Sequence, residues 1–176
     1  MTANVVSKIA SADFPDDWPE LFPHLVSVLT ANVSDSAILG SLRVLYELVD
    51  SGLSDEQFLG VASDLVNALK QVAINGSNNS ANQAMALKVL GCCFDNLEQV
   101  LQSQHAGAVR AFLDQAMPPW ITFFMTVLRL PLPEVGLADF TDFVNPTSVV
   151  SKWKGVIAVK IQVIQVCQYK AQGISR

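Results

Sequence analysis

Apolar residues in this chain recur three and four positions apart, in runs of about 15 to 25 residues separated by short polar connections. That spacing draws one apolar stripe along each of a succession of helices, and no segment shows the strict alternation of a half-buried strand. The expected fold class is all-α. Each stripe must be covered by a neighbouring helix, so the order and spacing of the helices constrain everything else.

Val5, Ile9 and Ala12 mark the last turns of a helix that stops before Phe14-Pro15, because proline disfavours helical geometry at the residue before it. Asp16 and Asp17 lead into Trp18-Pro19, and Trp18, Leu21, Leu25, Val28 and Leu29 share a face of a second helix running to about Asn32. Ser34 is the expected N-cap of a third, with Ile38, Leu42, Leu45 and Val49 inside, Arg43 and Glu47 outside, and Gly52 as its C-cap. Ser54 and Gln57 form a capping box, and Leu53 with Phe58 a hydrophobic staple. They start a helix from Asp55 to about Ala73, striped by Phe58, Ala62, Leu65, Leu69 and Val72. The run Asn75-Gly76-Ser77-Asn78-Asn79 reads as a surface loop. A second capping box, Ser80 with Gln83, then opens a helix carried by Ala84, Leu87, Leu90, Phe94, Leu97 and Leu101 to about Ser103.

A sixth helix begins near Ala106 with Val109, Phe112, Leu113 and Ala116. Pro118-Pro119 removes two amide donors and predicts a break or sharp kink before the stripe resumes at Trp120, Phe123, Phe124 and Val127. From Leu130 to Pro146 the chain carries three prolines, the acids Glu134, Asp139 and Asp142, and no basic residue. This stretch reads as a long acidic loop anchored by Leu137, Phe140 and Phe143. A last helix follows, with Val149, Trp153, Val156, Lys160, Val163 and Val166 bounding its apolar face.

Helix pairs over about 3–32, 34–74 and 80–130, an insertion at 131–146 and a terminal helix at 147–170 repeat with the period of HEAT-type units. Such pairs stack into an α-solenoid of antiparallel helices, and a chain that opens on a helix stub and closes on an unpaired apolar helix is expected to be a section of a longer one. A six-helix bundle is the competing architecture.

Composition narrows the function. Eleven Lys and Arg against sixteen Asp and Glu leave a net charge of -5, which repels a phosphate backbone and argues against direct nucleic-acid binding. Three cysteines, two of them adjacent at Cys92 and Cys93, make no disulfide framework and point to a reducing compartment. No signal peptide or membrane-spanning run is expected, and the sequons at Asn32, Asn75 and Asn78 would matter only in a secreted protein.

The stretch Ile9-Ala10-Ser11-Ala12-Asp13-Phe14-Pro15-Asp16-Asp17-Trp18-Pro19-Glu20-Leu21-Phe22-Pro23 resembles an early-repeat signature of the importin-β family of nuclear transport receptors. Ala37 to Asp50 resembles the outer helix that follows it in that family. The resemblance implies a section of a nuclear import receptor that shuttles between cytoplasm and nucleus. Its implied partners are the GTP form of the small GTPase Ran, basic protein cargo such as core histone dimers and, through the full-length receptor, nucleoporins. It also implies that the second member of each pair, starting at Asp16, Asp55 and Ala106, lines the inner layer.

Basic cargo calls for carboxylates, which accept charge-assisted hydrogen bonds and steer cations towards them. The candidates on the inner helices are Asp16, Asp17, Glu20, Asp55, Glu56, Asp64 and Asp114, and in the insertion Glu134, Asp139 and Asp142. Those in first helical turns also complement the helix dipole, which is reason enough for them to be there. Trp18, Trp120 and Trp153 are expected in the core, and Cys92 and Cys93 as inert core thiols. His24 and His105 have no Cys, Asp or Glu at zinc-ligand spacing. No nucleophile elbow, phosphate-cradling glycine loop or Ser–His pairing is present in the sequence, so neither an enzyme nor a cofactor is expected. The alternative function is a HEAT-repeat scaffold or adaptor that binds a protein partner without dependence on Ran.

Overall fold

The computed structural model describes residues 9, 14, 17–31, 33–50, 53–75, 79–101, 105–131 and 157–167. Among them the elements are α1 (Leu21–Thr30), α2 (Asp35–Asp50), α3 (Asp55–Lys70) with a wider π-helical turn at Gln71–Asn75, α4 (Ser80–Val100), α5 (Ala106–Arg129) and α6 (157–167). No described residue is in a strand. The architecture is an all-α, HEAT-repeat solenoid segment. The expectations placed on Asp16, Gly52, Trp153 and the insertion lie outside the described residues.

Two layers account for the packing. In one, α1 packs on α3 and α3 reaches α5; in the other, α2 lies along α4. Between the layers, α1 meets α2 and α3 meets α4. The centre of the stack is α4, which touches α2, α3 and the π-helical turn and therefore buries Ala86, Leu87, Val89, Leu90, Gly91, Cys93 and Leu97 around much of its circumference. The expected stripe was too narrow for a helix with neighbours on several sides. In α2 the same widening adds Ser41, Val44 and Leu48 to the buried Leu42, Leu45 and Val49.

Local chemistry sets the helix starts. Ser34 Oγ accepts from the Ala37 amide at 3.3 Å. Ser54 and Gln57 form the expected capping box, with Oγ accepting from the Gln57 amide at 3.3 Å and Oε1 from the Ser54 amide at 2.9 Å. Leu53 is half-buried against the core and Phe58 fully buried, as a staple requires.

At the next helix the expectation is overturned, because the cap is Asn79 and not Ser80. Asn79 Oδ1 accepts from the amides of Ala81 and Asn82 at 3.0 and 3.2 Å. The Gln83 side chain, expected to reach back to its own helix start, instead donates to the Ala73 carbonyl at 3.1 Å. Asp35 explains the shift. Its carboxylate accepts from Asn79 Nδ2 at 2.8 Å and from the buried Asn82 Nδ2 at 3.2 Å, tying the starts of α2 and α4 together. Asn79 is thereby held with its oxygen towards the helix.

The expected break at Pro118-Pro119 is absent, since α5 runs unbroken from Ala106 to Arg129. Both prolines are exposed, and so are Asp114 and Gln115, whose carbonyls lose their amide donors. Those carbonyls lie on the solvent side, where they need no protein donor, while the opposite face holds the helix in place through buried Met117, Trp120 and Phe124. Thr122 Oγ1 donates to the Pro118 carbonyl at 3.2 Å.

Trp18 also departs from expectation. It lies ahead of α1, 38% exposed, in a turn closed by the Leu21 amide on its carbonyl at 3.2 Å, and so is not part of the buried stripe. Trp120 is fully buried against Phe123 and Phe124, with ring centroids 6.3 and 5.9 Å away. At the end of α5, Lys160 donates to the Leu128 and Leu130 carbonyls, a cation placed where the helix dipole is negative. Urea unfolding tests the reassigned cap: Asn79→Ala should cost about 1–2 kcal/mol and Ser80→Ala should leave the midpoint within error of the parent.

Candidate protein-binding surface

The contacts of α3 with α1, α4 and the π-helical turn bury one side of it and leave Glu56, Gly60, Ser63, Asp64 and Asn67 to solvent. Glu56 and Asp64 lie two helical turns apart on that face, about 12 Å along the axis. Between them Gly60 has nothing within 4 Å of the place its Cβ would occupy, so packing gives no reason for a glycine there. The face is acidic, small and smooth.

The same layer carries the other described candidates. Asp17 and Glu20 precede α1, Asp55 opens α3, and Asp114 is exposed on α5. Glu20 occupies the cap position of α1 without a side-chain hydrogen bond, and no acid lies in that helix's first turn because the helix begins at Leu21, later than the sequence suggested. Asp55 and Glu56 do lie in the first turn of α3. Dipole complementarity accounts for Asp55 and Glu56 but not for Asp64 or Asp114, which sit well inside their helices. Asp16, Glu134, Asp139 and Asp142 are outside the described residues.

On the other layer the structure assembles an acidic group that the sequence reading missed. Asp50 ends α2, and α4 brings Asp95 and Glu98 to it. Partial burial first, then the charges of Glu98 and Asp50, raise the Asp95 carboxyl above its ordinary range. Cys92 Sγ lies 3.9 Å from Asp50 Oδ1, and burial together with the Asp50 and Asp95 charges pushes its thiol up to about 11. Cys93, wholly buried, is raised further. Both thiols stay protonated near neutral pH, as inert core cysteines should. Lys88 Nζ sits 3.9 Å above the Tyr46 ring across the same interface. Cys92, Asp95 and Glu98 follow one another at three-residue spacing on α4, but only the pairing of α2 with α4 brings Asp50 and Tyr46 to them.

Among the described residues no group of three or more His, Cys, Asp or Glu could hold a metal ion, and no helix is long and apolar enough to cross a membrane. What the surface offers is carboxylates on a helical scaffold, a means of binding by charge and shape.

No family model matches the chain, and no solved structure is significantly similar to it. Among curated proteins, importin subunit beta-5 of Schizosaccharomyces pombe is 35% identical over 149 residues, which is 83% of this chain and 14% of the relative. That relates the chain to the importin-β family. The chain thus spans about one seventh of the length of the importin it matches.

Two outcomes are expected. Gly60→Ala should raise the unfolding free energy by about 0.5–1 kcal/mol, since it adds helix propensity without a clash. For Asp95 the folded state binds its proton more tightly than the unfolded chain does. Its contribution therefore falls as pH rises from the ordinary carboxylate range through the raised value. Asp95→Asn should accordingly raise Tm at pH 7, and the gain should shrink to nothing as pH drops below the ordinary range.

Proposed function

We propose that this importin-like segment works within a nuclear import receptor, of the importin-9 kind on its helix order and its proline-containing insertion after Leu130. Its acidic layer contributes to holding basic protein cargo such as core histone dimers. The similarity to a fission-yeast importin β subunit over most of the chain carries this reading. The exposed carboxylates of the α1, α3 and α5 layer give it a physical means.

Binding of this kind needs no chemistry beyond charge and shape. Lys and Arg of the cargo are steered towards Asp17, Glu20, Asp55, Glu56, Asp64 and Asp114, and on contact accept no penalty for a buried unpaired charge because both partners keep a neighbour of opposite sign. Asp16 and the insertion acids Glu134, Asp139 and Asp142 carry the same charge and are proposed as further cargo contacts. Release follows from competition. Ran in its GTP form takes surface that overlaps the cargo's, so each ligand lowers the affinity of the other by the same factor. Nucleoporins are met through the rest of the receptor, and the segment shuttles with it between cytoplasm and nucleus.

Stopped-flow association with a core histone dimer tests the acidic layer. Replacing Glu56 and Asp64 together by Lys should slow association and flatten its dependence on salt, with the circular dichroism spectrum unchanged because both residues are exposed. Replacing Glu134, Asp139 and Asp142 by Ala should act in the same direction. An unchanged rate and salt slope in both variants would remove these carboxylates from cargo binding.

A further inference from the structure

Ser80 and Gln83 have the spacing of a capping box, yet α4 does not use it: Ser80 is the first residue of the helix, and Gln83 Nε2 donates across to the Ala73 carbonyl at 3.1 Å. The start that α4 does use leans on Asp35. Its carboxylate accepts from Asn79 Nδ2, which leaves Asn79 Oδ1 facing the Ala81 and Asn82 amides, and it also accepts from Nδ2 of Asn82. Asn82 is 3% exposed, and its Oδ1 finds no hydrogen-bond partner among the described residues. One end of a buried amide is thus already unpaired, and Asp35 supplies the partner of the other.

We propose that α4 has two start positions one residue apart and that Asp35 selects the earlier one. Without its carboxylate, Asn79 loses the contact that orients it and Asn82 is buried with both ends of its amide unpaired, so the earlier start becomes the costlier one. The later start is already written in the residues. Ser80 becomes the cap, its Oγ accepting from the Gln83 amide and Gln83 Oε1 accepting from the Ser80 amide, while the Asn79 carbonyl gives up the Gln83 amide that it now holds at 3.0 Å. Asn82, no longer tied through its amide to Asn79, turns to water. Gln83 cannot serve both arrangements, so its move to the helix start also releases the Ala73 carbonyl in the π-helical turn that ends α3. The carboxylate on α2 therefore decides whether α3 and α4 are tied at this end, and the exchange is a discrete one between two hydrogen-bonded states rather than a fraying of the helix.

A double-mutant cycle in urea unfolding tests this on the intact chain. In the parent, Asn79→Ala should lower the folding equilibrium constant by about 5–30-fold and Ser80→Ala should leave it within about twofold. In an Asp35→Ala background the order should reverse, with Ser80→Ala lowering the constant about fivefold and Asn79→Ala leaving it within about twofold. The part that Asp35 plays at the dipole of α2 is common to both arms and cancels. Amide hydrogen exchange separates a moved start from a loosened one. In Asp35→Ala the Ala81 amide, bonded to Asn79 Oδ1 in the earlier start alone, should exchange about tenfold faster, while the Gln83 amide, bonded in both arrangements, stays within about twofold. Asp35→Asn, which keeps one acceptor, should shift both readouts the same way by less. An Asn79→Ala effect that stays the larger in the Asp35→Ala background, or Ala81 and Gln83 amides that speed up together or not at all, would overturn the proposal.

Discussion

The structure depends on one constraint: no helix of this chain can bury its apolar stripe alone, and each must be covered by helices before and after it in the stack. That is why α4, with neighbours in both layers, is buried around much of its circumference while α5 keeps an apolar flank in solvent. The same constraint produces the polar contacts. Asp35 reaches across to Asn79 and Asn82 because stacking α2 on α4 brings two helix starts side by side. Burial in that same contact, then the neighbouring charges (Glu98 and Asp50 for Asp95, Asp50 and Asp95 for Cys92), raise the Asp95 carboxyl and the Cys92 thiol.

Much of this was legible in the residues. The 3.6 period gave the helices and most of their buried positions, and the Ser54–Gln57 box located the start of α3 to the residue, because capping is decided by atoms three positions apart. Reading failed where a distant residue decides a local outcome. Ser80 with Gln83 satisfies the capping pattern as well as Ser54 with Gln57 does, but Asp35, forty-four positions before Asn79, selects the asparagine. Pro118-Pro119 looks like a break until the helix's rotation is known, and with both prolines on the exposed side the missing donors cost little. Spacing puts Trp18 on the stripe, yet the helix begins after it.

For the surface, the sequence supplied the candidates but not their grouping. Asp64 and Asp114 share a layer because α3 reaches α5, and their positions inside their helices leave the dipole no claim on them. In the opposite layer Asp95 and Glu98 share a flank of α4, but their grouping with Asp50 at the end of α2 escapes any reading along one helix. The similarity to an importin covers most of this chain and about one seventh of the relative, and it does not single out any of these carboxylates.

The central claim is that this segment contributes to a receptor that answers to the nucleotide on Ran. Calorimetric titration of the chain with Ran loaded with GTP and, separately, with GDP tests it most directly. The account predicts binding to the GTP form that is at least tenfold tighter than to the GDP form, about 1.4 kcal/mol, and that weakens as salt is raised. Equal affinity for the two forms, or heat from neither, would contradict it and favour a HEAT-repeat adaptor that works without Ran.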